Sequence, residues 1–251
     1  MVTEQLMDLA LNMGEKMLRS GAEIYRVEDT MRRVCRAYSA ERAEVFSITS
    51  CIILTVQLPD EAAKTQIRRI DGYDTDLTRL EKLNEFSRYI CEEIPPLDEA
   101  ITMFSGIEPT SDRPCVRAVL YAFVSASFSV FFGGGVREAL ISAGIAVCLF
   151  YLEYFFSRMR LNRFFLVFLT SAICGFLAAA SARFGLVHRV DRIIIGNIMP
   201  LVPGLAFTTS IRDMVNGDII SGLLRLVESL FLAVALAAGF AIALLPFGIG
   251  G

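Results

Sequence analysis

The C-terminal half of the sequence places ionisable side chains beside and within long apolar runs. Glu228 lies inside the run that begins at Leu223, and Asp213 and Asp218 stand just before that run. A charged side chain in a bilayer costs about 2.5–3.5 kcal/mol on insertion scales, and such residues mark proton relays, substrate sites or ion pairs. Arg225 precedes Glu228 by three residues on nearly the same helical face. The alternatives are therefore an interfacial ion pair and a proton- or substrate-linked site.

A second group of residues interrupts an apolar run in a way that favours a ligand site. Pro200 and Pro203 are followed by Gly204, and proline both removes a backbone donor and clashes with the carbonyl one turn earlier. The helix is therefore predicted to open, and its freed carbonyls need another helix, water or a cation as partner. Transporters use such broken helices at substrate sites. Asn197 adds an amide, so the alternatives are a binding site and a plain proline kink.

Two further polar groups have structural explanations that compete with a functional one. Every second residue from Ser125 to Ser129 is a serine, and small residues on an apolar helix are typical of helix packing in membranes. Glu23, Arg26 and Glu28 cluster at the start of a predicted helix, where acidic side chains complement the helix dipole. We predict packing for the serines and a structural role for the acidic cluster.

Several classes of chemistry lack their sequence signatures. The P-loop pattern G-x-x-x-x-G-K-[ST] and the nucleophile elbow G-x-S-x-G do not occur, and His188 is the single histidine. The six cysteines are scattered without a C-x-x-C pair, so neither a disulfide framework nor a zinc site is expected. The sequence therefore predicts a protein that is not an enzyme, with no cofactor and no bound metal.

The composition changes near residue 112 and divides the chain into two predicted domains. Residues 1–112 hold 13 Lys and Arg against 21 Asp and Glu, whereas residues 113–251 hold 11 Arg against 6 acidic residues. The acidic first part argues against nucleic acid as a partner. A spanning helix needs about 20 mostly apolar residues. Five segments of the second part approach this length, namely 116–132, 139–156, 164–182, 193–211 and 223–247. The expected fold is an α-helical membrane bundle of about five spans, preceded by a small cytoplasmic α/β head.

Within the head, the spacing of apolar residues changes from helical to strand-like and back. Apolar side chains recur every three to four residues in the first part, and the period becomes two from Phe46 onward, with Ser47 among the polar positions. Leu77 is expected among the inward residues of the helix that follows. The predicted helices cover 6–17, 24–38, 75–94 and 97–107, and the predicted strands cover 46–48, 52–58 and 65–70.

Arginines set the expected orientation in the membrane. Seven arginines fall on the side of the head and four on the opposite side, and the first group includes Arg158, Arg160 and Arg163 between the second and third spans. Because positive residues are retained in the cytoplasm, the head is expected there. No basic region followed by an apolar core opens the chain, which agrees with a head that is not exported.

Several segments together resemble one known family. They are Ser20–Glu28, the hydroxyl-rich strand Ser47–Thr55, Leu83–Arg88, and Asn197–Gly204 with its Pro-Leu-Val-Pro-Gly core, followed by Arg212-Asp213, Gly217-Asp218, Gly222 and Glu228. These segments are similar to the threonine/serine exporter family of bacterial inner-membrane proteins. The resemblance extends from about Leu6 to Ala243.

The resemblance implies a secondary exporter of small hydroxy amino acids, acting as a proton antiporter in the bacterial cytoplasmic (inner) membrane. Some short relatives are linked to dicarboxylates, so a succinate exporter subunit is an alternative. A membrane-tethered hydrolase or a regulatory subunit is a further alternative. The family includes split systems, and this chain is similar to their head-bearing half. The implied partners are the substrate, the lipid bilayer, a second small membrane protein of the C-terminal-half type and further copies of this chain.

The resemblance also implies roles for individual residues. On the substrate pathway it places Asn197, Pro200, Pro203, Gly204, Arg212 and Arg225. For proton coupling it proposes Asp213, Asp218 and Glu228. In the head, the corresponding polar cluster is Glu23, Arg26 and Glu28. An arginine would meet a substrate carboxylate, and the acidic residues would exchange protons.

Overall fold

The chain packs as two compact units, each with its own hydrophobic core. The computed structural model describes residues 2–72, 75–110, 113–157, 161–187 and 189–247. Arg158, Arg160, His188 and the predicted boundary at residue 112 lie outside these ranges. The first unit comprises residues 1–111 together with Phe207–Leu226, and the second comprises residues 112–206 and 227–251. The division into a head over 1–112 and a membrane domain over 113–251 remains a prediction.

The first unit contains helices around a three-stranded antiparallel sheet, in the order β1-β2-β3. Its elements are α1 (Val2–Arg19), α2 (Ile24–Ala37), β1 (Arg42–Ile48), β2 (Cys51–Gln57), β3 (Lys64–Arg69), α3 (Leu77–Glu93) and α4 (Leu97–Ser105). The three predicted strands are therefore confirmed. Helix α1 buries Leu6, Ala10, Met13 and Met17, as their helical spacing indicates. Gly21, with φ 93°, takes the left-handed conformation after this helix, which glycine adopts without steric cost.

One predicted orientation in the first unit, that of Leu77, is wrong, and the buried face of β1 is the one that carries Ser47 instead of Phe46. Phe46 is 56% exposed whereas Ser47 is 3% exposed. Ser47 pairs with Ile52 of β2, so it shares the inner face, and the Glu28 carboxylate accepts hydrogen bonds from its N–H and its hydroxyl at 2.8 and 3.1 Å. A buried hydroxyl with such a partner replaces the apolar residue that the alternation favoured. Leu77 is 63% exposed because it lies at the very start of α3.

Among the described residues, four helices are long and apolar enough to cross a membrane. They are Pro114–Phe131, Val136–Phe156, Arg163–Arg183 and Ile219–Phe247. The helices after residue 112 are α5 (Pro114–Phe131), α6 (Val136–Ser157), α7 (Arg163–Arg183), α8 (Val190–Ile198), α9 (Gly204–Val215) and α10 (Ile219–Leu244), followed by a 3-10 turn over Leu245–Phe247. The protein is therefore a membrane protein with several transmembrane helices.

The fourth predicted span, 193–211, is two short helices instead of one. Helix α8 ends at Ile198 and α9 begins at Gly204, with Pro200 and Pro203 between them. The opening that the prolines predict is therefore confirmed, but neither piece reaches the length of a bilayer span. The number of five spans is accordingly not supported by helix length, and most of α9 belongs to the first compact unit.

Helices α9 and α10 meet at a glycine in the first unit. A Cβ atom added to Gly222 would lie 2.6 Å from the carbonyl oxygen of Ser210 and 2.9 Å from the backbone nitrogen of Met214. No side chain fits at such distances, so the first turns of α10 pack directly on the backbone of α9. This close approach brings the charged residues of both helices together.

Candidate functional site

A buried ion pair links α9 to the first turns of α10. Asp213 is 0% exposed and Arg225 is 4% exposed. Arg225 Nη1 donates to Asp213 Oδ2 at 3.0 Å, and Nη2 of the same guanidinium donates to the carbonyl oxygen of Ala22 at 3.4 Å. Two residues predicted for different roles, proton coupling and substrate binding, thus form one pair. Their burial makes each side chain depend on the charge of the other.

A second ion pair joins α9 to the residue that precedes α2. Arg212 binds Glu23 through Nη1 and Oε1, and Arg26 Nε lies 3.4 Å from the other carboxylate oxygen of Glu23. Burial acts to raise the pKa of Glu23, but hydrogen bonds and charge from Arg212, with help from Tyr25 and Arg26, leave that pKa below its usual value. Glu23 is therefore a charged anchor for α9.

The N-terminus of α2 faces two aspartates from the segment Phe207–Leu226. Glu23 occupies the N-cap position of α2 but makes no capping hydrogen bond with its side chain. The N–H of Ile24 lowers the pKa of Asp213, and the N–H of Tyr25 lowers that of Asp218. The first N–H groups of a helix lack partners within the helix and favour negative charge. The two aspartates therefore supply negative charge near this end of α2.

Both aspartates have a pKa above the usual value. For Asp213, burial raises the pKa, Arg225 and the N–H of Ile24 oppose the shift, and the charges of Asp218 and Glu23 reinforce it. For Asp218, burial and the charge of Glu28 raise the pKa more than the N–H of Tyr25 lowers it. Carboxyls whose pKa is moved toward neutrality by burial and neighbouring acids are able to exchange protons under milder conditions than exposed ones.

The remaining predicted acidic residues lie elsewhere. Glu28 holds Ser47 of β1 and pairs with Arg32 at 2.8 Å, so its contacts are those of a structural residue. In the second unit, Glu228 of α10 lies 3.7 Å from Arg163 at the start of α7, with both side chains partly exposed. The Arg163 partner was missed, because nothing in the local sequence indicates which helix end faces Glu228.

The polar residues near the helix break form a separate group in the second unit. Asn197 is 1% exposed, and its Nδ2 donates to Ser142 Oγ and to the carbonyl of Ile193, both at 2.9 Å. Ser142 Oγ in turn donates to the carbonyl of Ser125 at 3.2 Å. Sequence reasoning found Asn197 but missed Ser142, which lies among apolar residues of helix α6.

The break itself is a compact turn. The backbone N–H groups of Leu201 and Val202 donate to the carbonyl of Ile198 at 2.9 and 3.1 Å, and that of Gly204 donates to Val202 at 2.8 Å. Pro200 and Pro203 lie within this turn, where no helical hydrogen bond requires the backbone N–H that proline lacks. Among the described residues, no group of three or more His, Cys, Asp or Glu side chains is placed to hold a metal ion.

The family follows from a match that covers nearly the whole chain. Residues 8–245 match the family model described as putative threonine/serine exporter, ThrE. The chain belongs to the threonine/serine exporter family. This confirms the resemblance carried by the Pro-Leu-Val-Pro-Gly segment and the residues around it. Family membership indicates a transporter and not an enzyme class, and it leaves the role of each residue of this exporter-family chain a prediction.

Relatives of this exporter-family chain occur in bacteria and in fungi. The "Threonine/serine exporter" of Corynebacterium glutamicum is 24% identical over 246 residues, which are 93% of this chain and 50% of the relative. The "Probable threonine/serine exporter" of Mycobacterium tuberculosis is 24% identical over 250 residues, 96% of this chain and 46% of the relative. "Pheromone-regulated membrane protein 10" of Debaryomyces hansenii is 25% identical over 244 residues, 91% of this chain and 24% of the relative.

The chain thus spans half or less of the length of these relatives. No solved structure matches it.

Proposed function

We propose that the protein is the head-bearing part of a proton-coupled secondary exporter for small hydroxy amino acids, threonine and serine in particular. The proposal places it in the bacterial cytoplasmic membrane with the head in the cytoplasm. Family membership and the apolar helices support export. The observation that carries proton coupling is the fully buried Asp213 bound to Arg225 at 3.0 Å.

The mechanism follows from the charge balance of this pair. While Asp213 is ionised, its carboxylate neutralises the guanidinium of Arg225 in a place where both are out of water. When Asp213 takes up a proton, it no longer balances that charge, and a buried charge without balance is costly. The guanidinium then favours another anion, and a planar carboxylate fits its paired N–H groups. Protonation of Asp213 thereby allows Arg225 to bind the carboxylate of the amino acid.

Protonation of the aspartates also changes how strongly they attract the N-terminus of α2. Asp213 and Asp218 both act on the N-terminus of α2, and the pKa of each is raised. Neutralising either one weakens its attraction to the positive end of the helix. Arg212 remains bound to Glu23, whose pKa is lowered, so α9 stays attached while Asp213 and Asp218 change charge. Proton uptake therefore weakens the attraction between the aspartates and α2 and leaves the ion pair of Arg212 with Glu23 in place.

A second protein or further copies of the chain complete the proposed transporter. The exporters of Corynebacterium glutamicum and Mycobacterium tuberculosis are about twice as long as the part that this chain matches. We propose that a small membrane protein of the C-terminal-half type supplies the remaining spans. Homo-oligomerisation is the other arrangement that provides additional helices.

The test is efflux from cells preloaded with labelled threonine, serine or succinate. The protein is expressed alone or with the second-half protein, and the proton gradient is collapsed in a parallel sample. We expect efflux of threonine and serine that requires the gradient and that falls at least about ten-fold in the Asp213→Asn variant.

The matched control is Asp29→Asn, which removes an aspartate that pairs with Arg33 at 2.8 Å on the exposed surface of the head. It should leave efflux unchanged. Efflux of succinate alone would show that the protein exports dicarboxylates. Efflux that persists after collapse of the proton gradient would refute proton coupling. No efflux in any arrangement would refute the exporter.

A further inference from the structure

Among the described residues of the second unit, three side-chain oxygen atoms are buried without a hydrogen-bond partner. They are Ser125 Oγ, Ser129 Oγ and Asn197 Oδ1. Ser125 and Ser129 are 0% exposed and Asn197 is 1% exposed. Polar atoms hidden from water are nearly always hydrogen-bonded, so a group of three orphans on neighbouring helices requires an explanation. Helix packing alone, which we predicted for these serines, does not supply one.

Other buried hydroxyls of the chain show how such a group is satisfied without a ligand. Thr170, Ser171 and Ser181 of α7 each donate to a backbone carbonyl three or four residues earlier, at 2.8, 2.9 and 2.6 Å. Ser129 would use the carbonyl of Ser125 in the same way, but Ser142 Oγ already donates to that oxygen at 3.2 Å. The serines of α5 thus depart from the pattern of the same protein.

Gly196 brings the three helices together at this place. A Cβ atom on Gly196 would lie 2.5 Å from the carbonyl oxygen of Ser125, 2.8 Å from Ser142 Oγ and 3.0 Å from Ser129 Cβ. The backbone of α8 therefore touches α5 and α6, and the adjacent Asn197 lies against them. Both hydrogens of the Asn197 amide are used, one by Ser142 and one by Ile193, so its oxygen is the acceptor that remains.

The orphan atoms match the hydrogen-bonding capacity of one hydroxyl group. Two serine hydroxyls offer two donors, and Asn197 Oδ1 is an acceptor only. An alcohol has one donor and two lone pairs. It can therefore accept from Ser125 and Ser129 and donate to Asn197, which gives each of the three orphan atoms a partner. A water molecule that accepts from both serines brings two hydrogens to the single acceptor Asn197 Oδ1, and a cation offers the serine hydrogens no acceptor.

We propose that Ser125, Ser129 and Asn197 bind the side-chain hydroxyl of the transported amino acid. This inference rests on the proposed function and deepens it, because it assigns the residues that select a hydroxy amino acid. The three atoms carry no formal charge, so they account for the hydroxyl of the substrate and not for its ammonium or carboxylate. Asn197 lies two residues before the turn that separates α8 from α9, in the kind of interrupted helix that transporters use at substrate sites.

A site built around a hydroxyl rejects the analogue that lacks it. Valine differs from threonine by a methyl group in place of the hydroxyl, and it would leave the serines and Asn197 without their partner. Sites that hydrogen-bond a substrate hydroxyl discriminate strongly for this reason, by about 10⁴-fold or more in favourable enzymes. Removing one of three hydrogen bonds should lower that preference by roughly ten-fold.

The test is competition binding with the purified full chain in lipid nanodiscs. Labelled L-threonine is displaced by unlabelled threonine or valine, and by serine or alanine, from the wild type and from Ser125→Ala and Ser129→Ala. We expect the wild type to prefer the hydroxylated member of each pair and each variant to lose about ten-fold of that preference. The control is Ser181→Ala, because the Ser181 hydroxyl already donates to Ala178 at 2.6 Å.

An unchanged threonine-to-valine preference in both α5 variants would overturn the inference, and the cluster would then hold water or serve packing alone. A second result would also overturn the inference. If threonine binding depends on sodium in the wild type, and the α5 variants lose that dependence but keep the threonine-to-valine preference, the cluster binds a cation. Threonine efflux from cells reports the proposed function separately. Efflux with unaltered selectivity refutes only the hydroxyl site, whereas absence of both efflux and binding refutes the two together.

Discussion

Replacing Arg225 by Met should destabilise the protein strongly. The substitution keeps a long unbranched side chain and removes the positive charge at 3.0 Å from the carboxylate of Asp213, which is 0% exposed. Removing one partner of a buried ion pair costs about 3–5 kcal/mol, because the other charge stays out of water. For a chain of this size each kcal/mol lowers Tm by about 2–4 °C. The expected fall is therefore roughly 6–20 °C.

The assay is thermal unfolding in detergent, followed by far-ultraviolet circular dichroism at neutral pH. The matched control is Arg33→Met, because Arg33 and Asp29 lie at a similar distance, 2.8 Å, with side chains that are 70% and 47% exposed. Exposed pairs contribute about 0–1 kcal/mol, so this variant should lose no more than a few degrees.

Burial, and not the ion pair as such, is what this comparison measures. Replacing both partners, Asp213 by Leu and Arg225 by Met, should recover most of the lost stability, since neither charge is then left in the interior. The difference between wild type and Arg225→Met should also shrink as the pH falls through the raised pKa of Asp213, because protonation removes the carboxylate charge that the variant leaves unpaired. A Tm for Arg225→Met no lower than that of Arg33→Met would refute the reasoning.

Two further predictions concern the same segment. The pKa of Asp218 is raised by burial and by the charge of Glu28, so the folded state holds this proton more tightly than the unfolded state, and the stability it contributes at low pH is lost as the pH rises through that pKa. Asp218→Asn should therefore have a higher Tm at pH 7 than the wild type and a flatter dependence of Tm on pH, and superimposable curves would count against the shift. Gly222→Ala would place a Cβ atom 2.6 Å from the carbonyl of Ser210 and should cost about 1–3 kcal/mol, measured as Tm. Its control is Gly204→Ala, where a Cβ meets nothing within 4 Å, and equal losses in the two variants would contradict the packing argument.

Local signals in the sequence were sufficient for the elements of the fold. The alternation after residue 46 predicted strands, and the structure has β1, β2 and β3 there. Pro200 and Pro203 predicted an interrupted helix because each proline acts within one turn of itself. Periodicity did not show which face of β1 is buried, because hydrogen bonds from Ser47 to the distant carboxylate of Glu28 make burial of a hydroxyl favourable. The strand was predicted correctly, whereas its buried face required the structure.

The candidate site depends on contacts that no local pattern encodes. Arg212 and Glu23 are separated by 189 positions, and Arg225 and Asp213 by 12. The individual charges were recognisable because ionisable residues beside apolar runs are few, but their partners are set by how α9 packs in the first unit. The unpartnered serines of α5 required coordinates for the same reason: the sequence shows a hydroxyl, and only its surroundings show whether it has a partner.

The segment Phe207–Leu226 also bears on how the chain is made. It completes a unit whose other residues end at 111, so about 95 residues separate the two parts along the chain. At translation rates of 5–20 residues per second, the ribosome needs roughly 5–20 seconds to synthesise that interval. During this time the start of α2 has emerged without Asp213 and Asp218, and apolar helices are entering the bilayer. The first unit is therefore complete only after α5 to α8 have been synthesised, so its folding depends on a late part of the chain.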